Sequence, residues 1–135
     1  MNTATHITDR LETHGIRPTR QRVDVARVLL SAARHLSADQ ILDELRASGC
    51  RVSRATVYNT LSLFTRQGLI RELSLDPERV VYDSTASQHH HFYLPDTGEL
   101  IDISADSVSL ADLPPVPEGC EIDSVEVLVR LRRKD

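Results

Sequence analysis

The 135-residue chain is long enough for one or two small domains, and with no Trp and only 3 Tyr and 2 Phe its core must be aliphatic. Cys50 and Cys120 form no CxxC pair, which excludes a local thiolate zinc knuckle or a dithiol redox motif. The opening MNTATHITDRLE carries no apolar signal core and no run approaches membrane-spanning length, so a soluble, cytoplasmic protein with reduced thiols and no membrane partner is expected. The net charge of −4 is unevenly spread: through Leu75 there are 11 Arg and no Lys against 7 acids, and beyond it 5 basic residues against 13 acids. An Arg-rich half suits phosphates and base edges, and an acidic half suits a cation.

Three helical patterns come first. One runs from about Thr5 to His14 and stops at Gly15. The second opens at Pro18, continues through Val23, Ala26, Leu29 and Leu30, and ends near Ala32. Ser37 and Gln40 form a capping box for the third, which carries Ile41, Leu42 and Leu45 and stops at Gly49.

The segment Val52 to Leu75 is the most informative. Ser53 is a good N-cap, Val57, Leu61 and Phe64 recur at helical spacing, and Gly68 ends the helix. Its outer face presents Arg54, Thr56, Tyr58, Asn59 and Ser62 near the N-terminal half, where a recognition helix meets DNA. Polar helix faces are usually only solvated. The hairpin that follows, Leu69 to Leu75 and Val80 to Tyr82 around Asp76 to Arg79, favours the DNA reading, because helix then hairpin is the tail of a winged helix.

Beyond Asp83 a polar link, Ser84 to Gln88, leads to two short strands, His90 to Leu94 and Leu100 to Ile103, around a turn at Pro95 to Glu99. Pro114, Pro115 and Pro117 exclude a long helix, and VEVLVRL from Val125 to Leu131 alternates like a half-buried strand. A sheet with so little helix to cover it predicts a homodimer. The expected fold class is α+β: a winged helix-turn-helix DNA-binding domain over residues 1–84, then a small strand-bearing domain over residues 85–135.

His89, His90 and His91 are consecutive and enter a strand, so His89 and His91 point to one face and His90 to the other. Asp83, Asp102 and His35 lie nearby in the pattern. Imidazole with carboxylate suits Fe2+, Mn2+ or Zn2+, and imidazole alone suits haem. A polar edge strand would account for three histidines equally well. His6 and His14 read as surface residues, and Cys50 as a small buried hydrophobe.

The runs RPTRQR (Arg17 to Arg22), HLSADQIL (His35 to Leu42), SRATVYNTLSLFTRQGLI (Ser53 to Ile70), HHH and DTGELIDI (Asp96 to Ile103) together resemble the ferric uptake regulator superfamily. That resemblance implies a dimeric, metal-responsive repressor that binds an inverted-repeat operator in double-stranded DNA, with residues 85–135 forming a small α/β dimerisation and metal-sensing domain. It implies DNA contacts by Ser53, Arg54, Thr56, Tyr58 and Asn59, minor-groove entry by Arg17 and a phosphate contact by Arg20. It also implies a regulatory metal site of His35, Asp83, His90 and Asp102, with His89 and His91 at a second metal or haem site.

HHHF, the stretch ADLPPVPEGCEI and the closing VEVLVRLRRK look most like the iron response regulator branch, which points to iron or haem homeostasis genes. A peroxide-sensing Fe/Mn repressor of the same superfamily is the near alternative, set second because Phe92 stands where commoner members have a further His. A small His/Asp metalloenzyme is the competing class; no HExxH or phosphate-cradling Gly loop supports it. A winged-helix module that binds another protein is a third reading.

Overall fold

The computed structural model describes residues 3–31, 35–84 and 89–135. The chain divides into two compact units, Met1–Ala86 and Ser87–Asp135. The expected end of the second helix near Ala32 and most of the link ending at Gln88 lie outside the described residues.

The first unit contains α1 (Thr3–Thr13), α2 (Arg20–Leu30), β1 (His35–Leu36), α3 (Ala38–Ala47), α4 (Arg54–Arg66), β2 (Arg71–Asp76) and β3 (Arg79–Asp83). Helix α2 starts two residues later than its proline indicated. Thr19 is the N-cap, its hydroxyl accepting from the Arg22 N–H, so Pro18 sits just ahead of the helix. Of the apolar positions expected inside, Leu29, Ile41, Leu42, Leu45, Val57, Leu61 and Phe64 are 0–1% exposed and share one core, while Val23 and Leu30 are only partly buried against it and Val25 is fully inside.

Helix α3 opens with both halves of the capping box: Ser37 Oγ accepts from the Gln40 N–H at 3.1 Å, and Gln40 Oε1 accepts from the Ser37 N–H at 2.9 Å. Ser37→Ala is expected to cost about 1 kcal/mol of stability. Chemical denaturation checks this, and an unchanged midpoint would show that water replaces the cap at no cost.

Helix α4 ends at Gly68, whose φ of +77° lies in the left-handed region and turns the chain into β2. The β2–β3 hairpin closes through an Asx turn, with Asp76 Oδ1 accepting from the Glu78 N–H at 3.0 Å. Strand β1 then adds to the free edge of β3, giving the order β1-β3-β2. His35 is therefore a strand residue opposite Asp83, not a loop residue.

The second unit is a sheet of β4 (His89–Leu94), β5 (Glu99–Ser104) and β6 (Leu128–Arg130), ordered β5-β4-β6, with a 3₁₀ turn at Ala105–Ser107. Strand β5 is antiparallel to β4, and β6 is parallel to it. Among its described residues there is no α-helix, which corrects the expected α/β make-up: the segment between the 3₁₀ turn and β6 carries three prolines and forms no regular element. Strand β6 is also shorter than the alternation of Val125 to Leu131 indicated. The Val127 N–H is taken by the His90 side chain, so the regular ladder begins one residue later.

Candidate nucleic-acid interface and metal ligands

Helix α4 buries Val57, Thr60, Leu61 and Phe64, leaving Arg54, Tyr58 and Asn59 on the exposed side, Tyr58 at 44% exposure. Ser53 and Thr56 are already engaged in shaping the helix. Ser53 Oγ accepts from the Thr56 N–H at 3.1 Å and donates to Thr56 Oγ1 at 2.9 Å, which fixes the first turn.

Arg17 and Arg20 are exposed at the α1–α2 junction and line a cleft of 1070 Å³ together with Arg27 and Arg51. Arg27 is partly neutralised by Asp24 at 3.1 Å. The concentration of guanidinium groups beside the N-terminal turn of α2 makes this face attractive to phosphate.

A second cleft, of 530 Å³, is lined by three acids, Asp39, Glu72 and Glu78, and one arginine, Arg79, with Tyr58 and Tyr82. Burial, then the negative charge of Glu72, push the Tyr82 phenol above its ordinary range. Arg54 Nη1 donates to Asp39 Oδ1 across the α3–α4 junction. That hydrogen bond and the carboxylate's charge hold the Arg54 guanidinium above its ordinary range, with a smaller contribution from Tyr58. Asp39 was not singled out from the sequence, where a carboxylate in a first helical turn reads only as favourable to the helix dipole.

The imidazoles and carboxylates pair within each unit. In the first, His35 Nε2 lies 3.5 Å from Asp83 Oδ2, and the Asp83 side chain is 1% exposed. In the second, register sets His91 opposite Asp102, with Nε2 3.3 Å from Oδ1. Imidazole and carboxylate set side by side form a donor pair of the type that holds a divalent transition metal.

The metal set inferred from resemblance needs one correction. His90 does not face Asp102: it is 3% exposed, lies on the opposite side of the sheet, and its Nδ1 accepts from the Val127 N–H at 2.9 Å. A ring nitrogen whose lone pair is used in this way cannot ligate a metal through that atom. His91 occupies the place beside Asp102 that was assigned to His90. His89 opens β4 opposite Ser104. Cys50 is half-buried against the first unit's core rather than fully inside, and Cys120 is exposed.

Residues 13–129 match the ferric uptake regulator family. The chain belongs to that family. It is 34% identical over 110 residues to the ferric uptake regulation protein of Synechococcus elongatus, a match spanning 78% of this chain and 75% of that one. It is 33% identical over 88 residues to the peroxide-responsive repressor PerR of Staphylococcus aureus, but there the match covers 65% of this chain and 60% of the relative, less than two thirds of its length. Among solved structures, the ferric uptake regulator of Pseudomonas aeruginosa with manganese superposes with a TM-score of 0.76 at 26% identity, covering 95% of this chain and 98% of that one. The regulator of Francisella tularensis with iron shares the fold at a TM-score of 0.71 and 23% identity, over 89% of this chain and 93% of the other. The family is one of metal-responsive transcription regulators rather than enzymes, which sets the metalloenzyme reading aside. No described helix is long and apolar enough to cross a membrane.

Proposed function

We propose that this member of the ferric uptake regulator family is a dimeric repressor that reads an inverted-repeat operator through a winged helix-turn-helix and responds to a divalent transition metal. The observation that carries the reading is α4: a capped helix with its apolar stripe fully buried, its polar N-terminal half exposed, and a β-hairpin immediately after it. Arg54, Tyr58 and Asn59 are its base-reading candidates, Ser53 and Thr56 shape the helix start, and Arg17 and Arg20 supply phosphate and groove contacts.

The metal-ligand candidates we assign are two imidazole–carboxylate pairs, His35 with Asp83 in the first unit and His91 with Asp102 in the second, with His89 as a further candidate. Imidazole and carboxylate together match Mn2+, Fe2+ or Zn2+, and relatives of the same family were solved with manganese and iron. When bound, such an ion would supply positive charge beside the carboxylates. A metal that binds one conformer of the dimer better than another shifts the population toward it. The peroxide-responsive relative makes oxidation of ligand histidines the second reading. With His91 beside Asp102, Phe92 no longer marks a missing ligand on that face.

Dimerisation is supported by the outer side of the second sheet. Register sets Phe92 between Ile101 and Val129, and the last two are 42% and 36% exposed, an apolar row that a second copy of the chain would cover. The likeness to the iron response regulator branch points to iron or haem genes as targets.

Binding to family-type inverted-repeat DNA at fixed salt, in chelated, Mn2+, anaerobic Fe2+ and haem-loaded states, tests the proposal. Metal is expected to tighten binding, and Arg54→Ala to weaken it by about tenfold or more. Release of the apo protein by haem would replace the metal reading with a haem-responsive one. No sequence preference in any state would overturn DNA regulation altogether.

A further inference from the structure

Arg54 is the only charged side chain on the exposed N-terminal half of α4, yet it is not free: Nη1 donates to Asp39 in the first turn of α3. Both side chains are well exposed, at 59% and 63%, so the pair is not required to satisfy buried charges. Glu72, Glu78 and Arg79 line the same cleft as Asp39 and Tyr58, so Asp39 is the acid of that cleft that holds Arg54.

We propose that Asp39 is a specificity-determining positioning residue: it ties up one edge of the Arg54 fork so that Arg54 serves as a base reader and not as a general phosphate anchor. The inference rests on the reading of α4 as the DNA-contacting helix. Its physical basis is that phosphate attraction is sequence-independent, whereas a guanidinium held in one plane can match the two acceptors of a guanine edge. An untethered arginine would swing to the nearest phosphate.

Asp39→Asn in the full-length protein is the test, read as affinity for operator and for scrambled DNA over a range of salt. Affinity for scrambled DNA is expected to rise and the operator-to-scrambled ratio to fall at least about fivefold, the low end of what one well-held arginine discriminates. The salt dependence should steepen by about one phosphate contact, a readout that a loss of helix stability would not produce. In an Arg54→Gln background, Asp39→Asn should leave the ratio unmoved, because the effect runs through Arg54. A thermal melt shows whether the variant is folded. If the wild-type protein prefers operator and Asp39→Asn changes neither ratio nor salt slope, the positioning role is wrong while the DNA reading stands. Lack of operator preference in the wild type itself would fail the underlying reading instead.

Discussion

Phe64→Ala is expected to lower the stability of the first unit by about 3–5 kcal/mol, the range for deleting a fully buried ring. Phe64 is 0% exposed and is the largest fully buried side chain of a core made mainly of aliphatic groups. It lies on α4 between the helix face that would read DNA and the elements that brace it. Removing its ring takes away both the transfer free energy of the buried atoms and contacts that close-packed neighbours cannot rebuild. Since small domains are stable by only about 5–15 kcal/mol, the variant should unfold at a much lower denaturant concentration and lose operator binding with the fold. A denaturation midpoint close to wild type would mean that the surrounding leucines and valines collapse into the space.

His91→Ala and His90→Ala, one residue apart, are expected to fail in different ways. His91 faces Asp102 across the β4–β5 ladder, so its loss should reduce affinity for Mn2+ by about 10–100-fold or more, the range seen even for residues one step removed from a metal. The metal-dependent gain in DNA binding should go with it; His91 is 3% exposed, so its truncation also lowers apo stability, and the loss of Mn2+ affinity is what marks it. His90 instead accepts from the Val127 N–H and so anchors the return of the chain into β6. Its replacement leaves that N–H without a partner, at a cost of about 1–3 kcal/mol to the second unit. Calorimetric Mn2+ titration beside thermal melts separates the two. Equal loss of Mn2+ affinity in both variants would contradict the assignment of His90 as a structural residue.

This pair of histidines shows how far one-dimensional reading reaches. Side-chain alternation along HHH correctly separates His90 from its neighbours, because the period of a strand is a property of the backbone. Which face carries Asp102 depends on the turn. With Glu99 counted in the turn, Leu94 would sit opposite Leu100 and His90 would share a face with Asp102. The turn spans only Pro95 to Gly98, Glu99 pairs with Leu94, and a shift of one residue turns the opposite face toward the carboxylate. The register is closed by Gly98, whose φ of +77° lets its N–H reach the Leu94 carbonyl at 2.8 Å.

The same division holds elsewhere. Local signals act over three or four residues and could be read directly: the capping box at Ser37, the N-cap at Ser53, the helix stop at Gly68, and the stripe Val57, Leu61 and Phe64 that became the core. Pairings between distant segments could not. The addition of His35–Leu36 to β3, the parallel docking of β6 on β4, and the Asp39 carboxylate on Arg54 join residues 15 to 48 positions apart, and each depends on how packed elements bring them together. By itself the sequence determined the helices of the first unit, the hairpin after α4, the absence of a helix from the proline-rich stretch and the family. Tertiary structure alone decided which histidine meets which carboxylate and which acid holds the reading arginine, because side-chain partners are chosen by register and packing rather than by local propensity.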